Sequence, residues 1–142
     1  MKIIKAESKD DYARCVAVRS LVFIAEQGFT IGSDFNGEER WEDYLLYAQD
    51  QPVATARWRM HDGDKAKIGM VATLKAHRGQ GFGKALIRHL SELLAAKDEV
   101  KEIWMSAQDH ALPFYEELGF KVIGEGYMEE HVPHHKVMKE TV

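Results

Sequence analysis

Several things are scarce in this chain of 142 residues, and each scarcity excludes something. Only one cysteine is present, Cys15, so no internal disulfide can form, and such usage suits a reducing, cytoplasmic compartment. No apolar run approaches the roughly 20 residues needed to span a bilayer, so no membrane partner is expected. The opening Met1-Lys2-Ile3-Ile4-Lys5-Ala6-Glu7 lacks a secretory apolar core, and no export signal is expected. Positive charge is not in excess: 19 Lys and Arg against 23 Asp and Glu leave a net charge of −4, which argues against nucleic acid as a partner. Repeats and low-complexity tracts are missing as well. What remains is an ordinary globular composition, 45% apolar and 30% charged, of a length that suits one domain over residues 1–142 with a proper core.

Along the chain, residues 2–6 read as a first strand. Ser8 with Asp11 three residues on resembles a capping box. It opens a helix whose stripe carries Tyr12, Cys15, Val16, Arg19, Val22 and Phe23, with Cys15 a small core residue. Residues 26–40 break the pattern with Gly28, Gly32 and Gly37 and read as a connection. Two strands follow, 44–48 and 53–60, joined by a turn at 49–52. In the second, Val53, Thr55, Arg57 and Arg59 share one face. Two arginines side by side have two readings. They pair with Glu38, Glu39, Glu42 or Asp43, or they hold an anionic group bidentately. Residues 65–74 read as a central strand, 101–107 as another, and 120–127 and 136–139 as closing strands. Asp109 is expected to cap a short helix with Pro113 in its first turn and Gly119 as its left-handed C-cap. The alternation of strands and helices, ending in strands, predicts a mixed α/β sheet.

The stretch around which the rest is arranged is 70–96. A β-prone run passes into Arg78-Gly79-Gln80-Gly81-Phe82-Gly83, and a helix follows with Phe82, Ala85, Leu86, His89, Leu90 and Leu93 on one stripe. Glycines let the backbone press close to a ligand. Helix N-terminal N–H groups with Arg78 and Lys84 beside them make a site for phosphate oxygens. A dinucleotide fingerprint would need its third glycine one place later, and a P-loop would need Ser or Thr where Ala85 stands. An ordinary strand-to-helix turn is the plain alternative.

The same turn resembles the Arg/Gln-x-x-Gly-x-Gly/Ala signature of the GNAT acyltransferase superfamily. Ala111-Leu-Pro-Phe-Tyr-Glu-Glu-Leu-Gly-Phe120 is similar to the family's FYxxLGF segment, in the order and separation expected. Arg19 to Gln27 and Val132-Pro133-His134 are similar to a subset of small bacterial members, the glyphosate-N-acetyltransferase-like ones. The resemblance implies a fold of six to seven mostly antiparallel strands in a mixed sheet, flanked by about four helices. It implies acetyl-CoA as co-substrate, bound by Val71, Ala72 and Thr73 along the pantetheine arm, by Arg78, Gly79, Gln80, Gly81, Phe82, Gly83 and Lys84 at the pyrophosphate, and by Phe114. It implies Tyr115 as general acid, although Leu112, Tyr115 and Leu118 would also make an apolar stripe.

Acetyl transfer to an amine needs a base, since an ammonium of pKa about 10.4 is no nucleophile. Many relatives place a glutamate on the central strand, where this chain has Gly69 and Met70. His134 is the substitute that the resemblance implies, and an ordinary imidazole pKa near 6.5 suits the task. The plain reading makes His131, His134 and His135 a solvated turn. A metal there is not expected, because adjacent strand residues point to opposite faces. Arg19, Phe23, Arg57 and Arg59 are candidates for the acceptor pocket. The acceptor is a small-molecule or protein amine, and homodimerisation is left open. Two readings stand: an acetyl-CoA-dependent N-acetyltransferase, or a binding module of the same fold without chemistry.

Overall fold

The computed structural model describes residues 1–30 and 40–141. Seven strands form one sheet: β1 (Lys2–Lys5), β2 (Glu42–Ala48), β3 (Gln51–Asp62), β4 (Lys65–Thr73), β5 (Glu102–Gln108), β6 (Lys121–Glu129) and β7 (Val132–Glu140). Their order across the sheet is β1-β2-β3-β4-β5-β7-β6. The β1–β2, β2–β3, β5–β7 and β6–β7 pairs are antiparallel, and β4–β5 is parallel. This mixed, mostly antiparallel sheet is the fold that the resemblance implies. Three α-helices are present among the described residues rather than about four: α1 (Lys9–Arg19), α2 (Phe82–Ala95) and α3 (Leu112–Glu117). A π-helical segment, Ser20–Glu26, continues α1.

The chain divides into two compact units, Met1–Arg59 with Met70–Ile87, and Met60–Gly69 with Arg88–Val142. In the first, Ser8 caps α1 by accepting from the Asp11 N–H at 3.0 Å. Asp11 reaches back to the Glu7 N–H at 3.3 Å. The stripe expected along α1 is altered by the π segment, where the N–H of Gln27 donates to the Val22 carbonyl and that of Phe29 to Phe23. A wider turn brings residues five apart onto one face, so Val18 joins Val22 and Phe23 in the core with Ala72. Tyr12 stays 40% exposed, while Cys15 is buried. The turn joining β2 and β3 is shorter than expected: Gln49 and Asp50 both have positive φ (51° and 66°), the twist a two-residue hairpin requires, and Pro52 already belongs to β3.

In the second unit, β4 and β5 pair from Lys65↔Glu102 to Ile68↔Met105. Ile68, Ile103, Met105 and Val137 are buried from three neighbouring strands. The closing strands run longer than the sequence suggested, because Glu130 and His131 at φ 50° and 62° make a tight hairpin and leave 132–135 in β7. His134 is therefore buried and not part of a solvated turn. Asp109 does not cap α3. Ala111 stands at the N-cap, Asp109 begins a preceding 3₁₀ turn, and its carboxylate takes the His135 Nδ1 at 2.7 Å. Gly119, at φ 94°, is the left-handed residue after α3.

Candidate active site

Strand, turn and helix at 70–84 lie within the first unit. Met70 has φ 51°, an unusual conformation for a side-chain-bearing residue within a strand, and it directly follows the glycine at which the β4–β5 register has already ended. After β4 a 3₁₀ turn (Lys75–His77) leads to Gly79 and Gly81, at φ 78° and 84°. Gly83, by contrast, lies inside α2 with no positive φ. A Cβ built on Gly79 or Gly81 would meet nothing within 4 Å, so the backbone there borders open space. The Ala85 N–H donates to the Gly81 carbonyl at 3.0 Å, which makes Gly81 the residue that opens α2. The first-turn N–H groups then have no intrahelical acceptor, and no acidic residue stands in that turn. An anion is the natural complement of such a helix start.

Arg78 is placed differently from the expectation. Its guanidinium makes a bidentate pair with Glu26, both contacts at 2.6 Å, and its Nε donates to the Thr73 carbonyl at 3.0 Å. The hydrogen bonds from Arg78 hold the Glu26 carboxyl below its ordinary value, and the arginine is raised in turn. This side chain ties the turn to the end of the π segment. The main chain of 79–84 is what faces outward.

The acceptor candidates also lie in the first unit. Arg19 is fully buried and ion-paired with Asp43. Burial, then the charge of Arg57, pulls its guanidinium down to about 10, still charged at neutral pH. Among the described residues its Nε and Nη1 have no hydrogen-bond partner. Asp43 sits opposite Arg57 in the β2–β3 register. Arg57 and Arg59 stack on the Trp41 ring, at 4.1 and 5.1 Å from its centroid. Phe23 is buried against Ala72 and Phe29. Of these four candidates only Arg59 keeps intermediate exposure. Glu38 and Glu39, the other expected partners, lie outside the described residues. Trp41 had no signal in the pattern.

In the second unit, Tyr115 is buried in an edge-on aromatic group with Phe114 and Phe120, ring centroids 5.0 and 6.0 Å away. Burial pushes its phenol well above the ordinary tyrosine range. His134 is 4% exposed and stacks on Tyr127 at 5.9 Å and 19°. Its Nδ1 lies 2.7 Å from the Val132 carbonyl. A carbonyl only accepts, so Nδ1 carries a proton. Nε2 points at Glu129 Oε2, 3.5 Å away. Ser106 Oγ donates to that same oxygen at 3.0 Å and also bonds the Tyr127 hydroxyl. A cavity of about 270 Å³ adjoins this group, lined by His61, Lys67, Trp104, Ser106, Tyr127 and Glu129 among others. Ser106, Tyr127 and Glu129 carry no signal in the sequence, since they come together only through strand pairing, and β6 runs to Glu129 rather than ending at 127. Extended by two residues, the strand's alternation puts Tyr127 and Glu129 on one face. Among the described residues no group of three His, Cys, Asp or Glu is arranged to hold a metal.

Comparison with known proteins gives the following. A family described as the acetyltransferase (GNAT) domain matches residues 31–141. The chain is similar to the uncharacterized N-acetyltransferase YjcF of Bacillus subtilis, 31% identical over 142 residues, 99% of this chain and 100% of that protein. It is similar to Escherichia coli ElaA, 30% identical over 131 residues, 88% of this chain and 84% of that one. The crystal structure of ElaA superposes with a TM-score of 0.87 at 26% identity, covering 98% of this chain and 99% of that one. A crystal structure of an aminoglycoside 6'-N-acetyltransferase complexed with coenzyme A superposes with a TM-score of 0.80 at 14% identity, over 100% and 98% of the two chains, a likeness of fold alone.

Proposed function

This chain belongs to the GNAT acetyltransferase family, and from that premise we propose that it transfers the acetyl group of acetyl-CoA to a primary amine of a small molecule or protein. The observation that carries the reading is the start of α2: two glycines at positive φ bordering open space, at a helix start whose first turn has no acidic residue. These features fit a diphosphate. The amides of 79–84 would hold it, and the main chain of Val71, Ala72 and Thr73, with Phe114, would hold the pantetheine arm. Bound there, acetyl-CoA supplies an acetyl group activated as a thioester.

The chain's own residues then have separate tasks. Tyr115 is the proposed acid, a buried phenol that carries its proton at neutral pH. His134 is the candidate base that the resemblance offers, with Nδ1–H held by the Val132 carbonyl and Nε2 beside Glu129. Arg59, with its intermediate exposure, stays the arginine best suited to an anionic group on the acceptor. Arg19 serves the fold through Asp43.

Two measurements test this. Thiol release from acetyl-CoA with a panel of amines is expected to show turnover for at least one acceptor class. A protein that takes up coenzyme A in calorimetry but releases no thiol with any amine is instead a binding module. Gly81→Val is expected to weaken coenzyme A binding by about tenfold or more, since a β-branched residue at positive φ is strained by 1–3 kcal/mol and its side chain fills the space the diphosphate needs. Normal uptake by a folded Gly81→Val protein would move the cofactor elsewhere.

A further inference from the structure

His134 has a difficulty as a base acting alone. It is 4% exposed, and it is not among the side chains that line the cavity. Glu129 is. Its side chain is 47% exposed, and its Oε2 takes both the Ser106 hydroxyl at 3.0 Å and the close approach of His134 Nε2 at 3.5 Å. With both neighbours on Oε2, the second carboxylate oxygen is left for whatever enters the cavity.

Building on the acetyltransferase reading, we propose that Glu129 is the catalytic residue that takes the proton from the acceptor ammonium, with His134 beside its other oxygen. The donor order supports this. Ser106 has one hydroxyl proton and spends it on Glu129, so the Tyr127 hydroxyl must donate to Ser106. Tyr127, Ser106 and Glu129 thus form a directed chain across β5 and β6 that sets the carboxylate's orientation, and the Tyr127 ring at the same time packs flat on the imidazole. His134 keeps Nδ1–H on the Val132 carbonyl, and its Nε2 faces the Glu129 oxygen that also accepts from Ser106. In this step the ammonium N–H bond breaks and its electron pair stays on the nitrogen. The proton goes to the free Glu129 oxygen, and to water when the cycle closes. Lys67 on β4 and Lys136 on β7 also border the cavity, and their positive charge favours loss of a proton from an ammonium beside them; His61 on β3 completes the titratable lining.

Glu129→Gln keeps the shape and removes the proton site. In the full chain, with an amine that the wild type accepts, kcat is expected to fall about 100-fold at neutral pH with the KM for acetyl-CoA unchanged. The deficit should shrink as pH rises toward the amine's own pKa of about 10, where free amine needs no base. A deficit independent of pH, or none, overturns the proposal. A second readout needs no turnover: ¹⁵N spectra of the His134 ring in the unliganded protein. Nδ1 should remain protonated in both proteins, and the Nε2 resonance should move in Glu129→Gln. An unmoved Nε2 overturns the pairing even if the wild type proves inactive with every amine, a result that would instead remove the acetyltransferase reading.

Discussion

Arg19 shows how a single side chain can look functional in a sequence and prove structural. An arginine on the apolar stripe of a helix has two explanations, a ligand contact or a buried counter-charge, and spacing cannot separate them. The structure gives it Asp43 and no exposed surface. Two of its nitrogens lack hydrogen bonds among the described residues, so the pair is incompletely compensated. Removing one partner would leave a lone charge in the core. Asp43→Ala is therefore expected to lower stability by about 3–5 kcal/mol, whereas Arg19→Met with Asp43→Leu should lose much less. Urea unfolding of the three proteins checks this. Equal losses in the single and double variants would show that packing, not charge, is what matters there.

Among the elements, the β6–β7 hairpin decides the most. Its two turn residues, Glu130 and His131, both sit at positive φ without being glycine or asparagine, the residues such turns favour. That choice leaves the hairpin without a sequence signal: the pattern suggests a strand from 136, whereas β7 begins at Val132 and includes His134. A left-handed residue with a side chain is disfavoured by about 1–2 kcal/mol, partly offset by the extra chain entropy of glycine. His131→Gly should consequently stabilise the protein by about 0.5–1 kcal/mol, read as a higher urea midpoint at unchanged slope. The buried face of α2 was likewise displaced by a residue. Leu86, Ile87, Leu90 and Leu94 are enclosed, and His89, expected on the stripe, is exposed. Burying the isoleucine in its place is the more apolar choice.

For the whole molecule, carboxylates held below their ordinary values set the acid limb of stability. Glu26, hydrogen-bonded by Arg78, and Asp11, accepting backbone N–H groups at the start of α1, are both lowered. A carboxyl with a depressed folded pKa contributes stability that is fully present above its unfolded value, 4.5 for Glu26 and 3.8 for Asp11, and is lost as pH falls through the folded value. Melting temperature should fall through this acid range, and Glu26→Gln should flatten part of the fall. An identical acid limb in that variant would mean that the Arg78 pair contributes nothing in solution.

Local chemistry was enough for the parts of this protein that act over one turn of chain. Ser8 at the N-cap, Gly119 after α3 and the strand-to-helix glycines at 79 and 81 could be read directly, because caps and left-handed turns depend on neighbours in sequence. The π segment, the bond between Arg78 and Glu26, and the Asp109–His135 contact could not, since each joins residues whose approach depends on packing. Glu129 belongs to the same class: next to an unmarked hairpin it looks like any surface acid. Only strand pairing brings Tyr127 opposite His134, and with it Ser106 and Glu129 around one imidazole. Sheet register is a long-range property, and it alone turns four scattered polar residues into one proton-handling group.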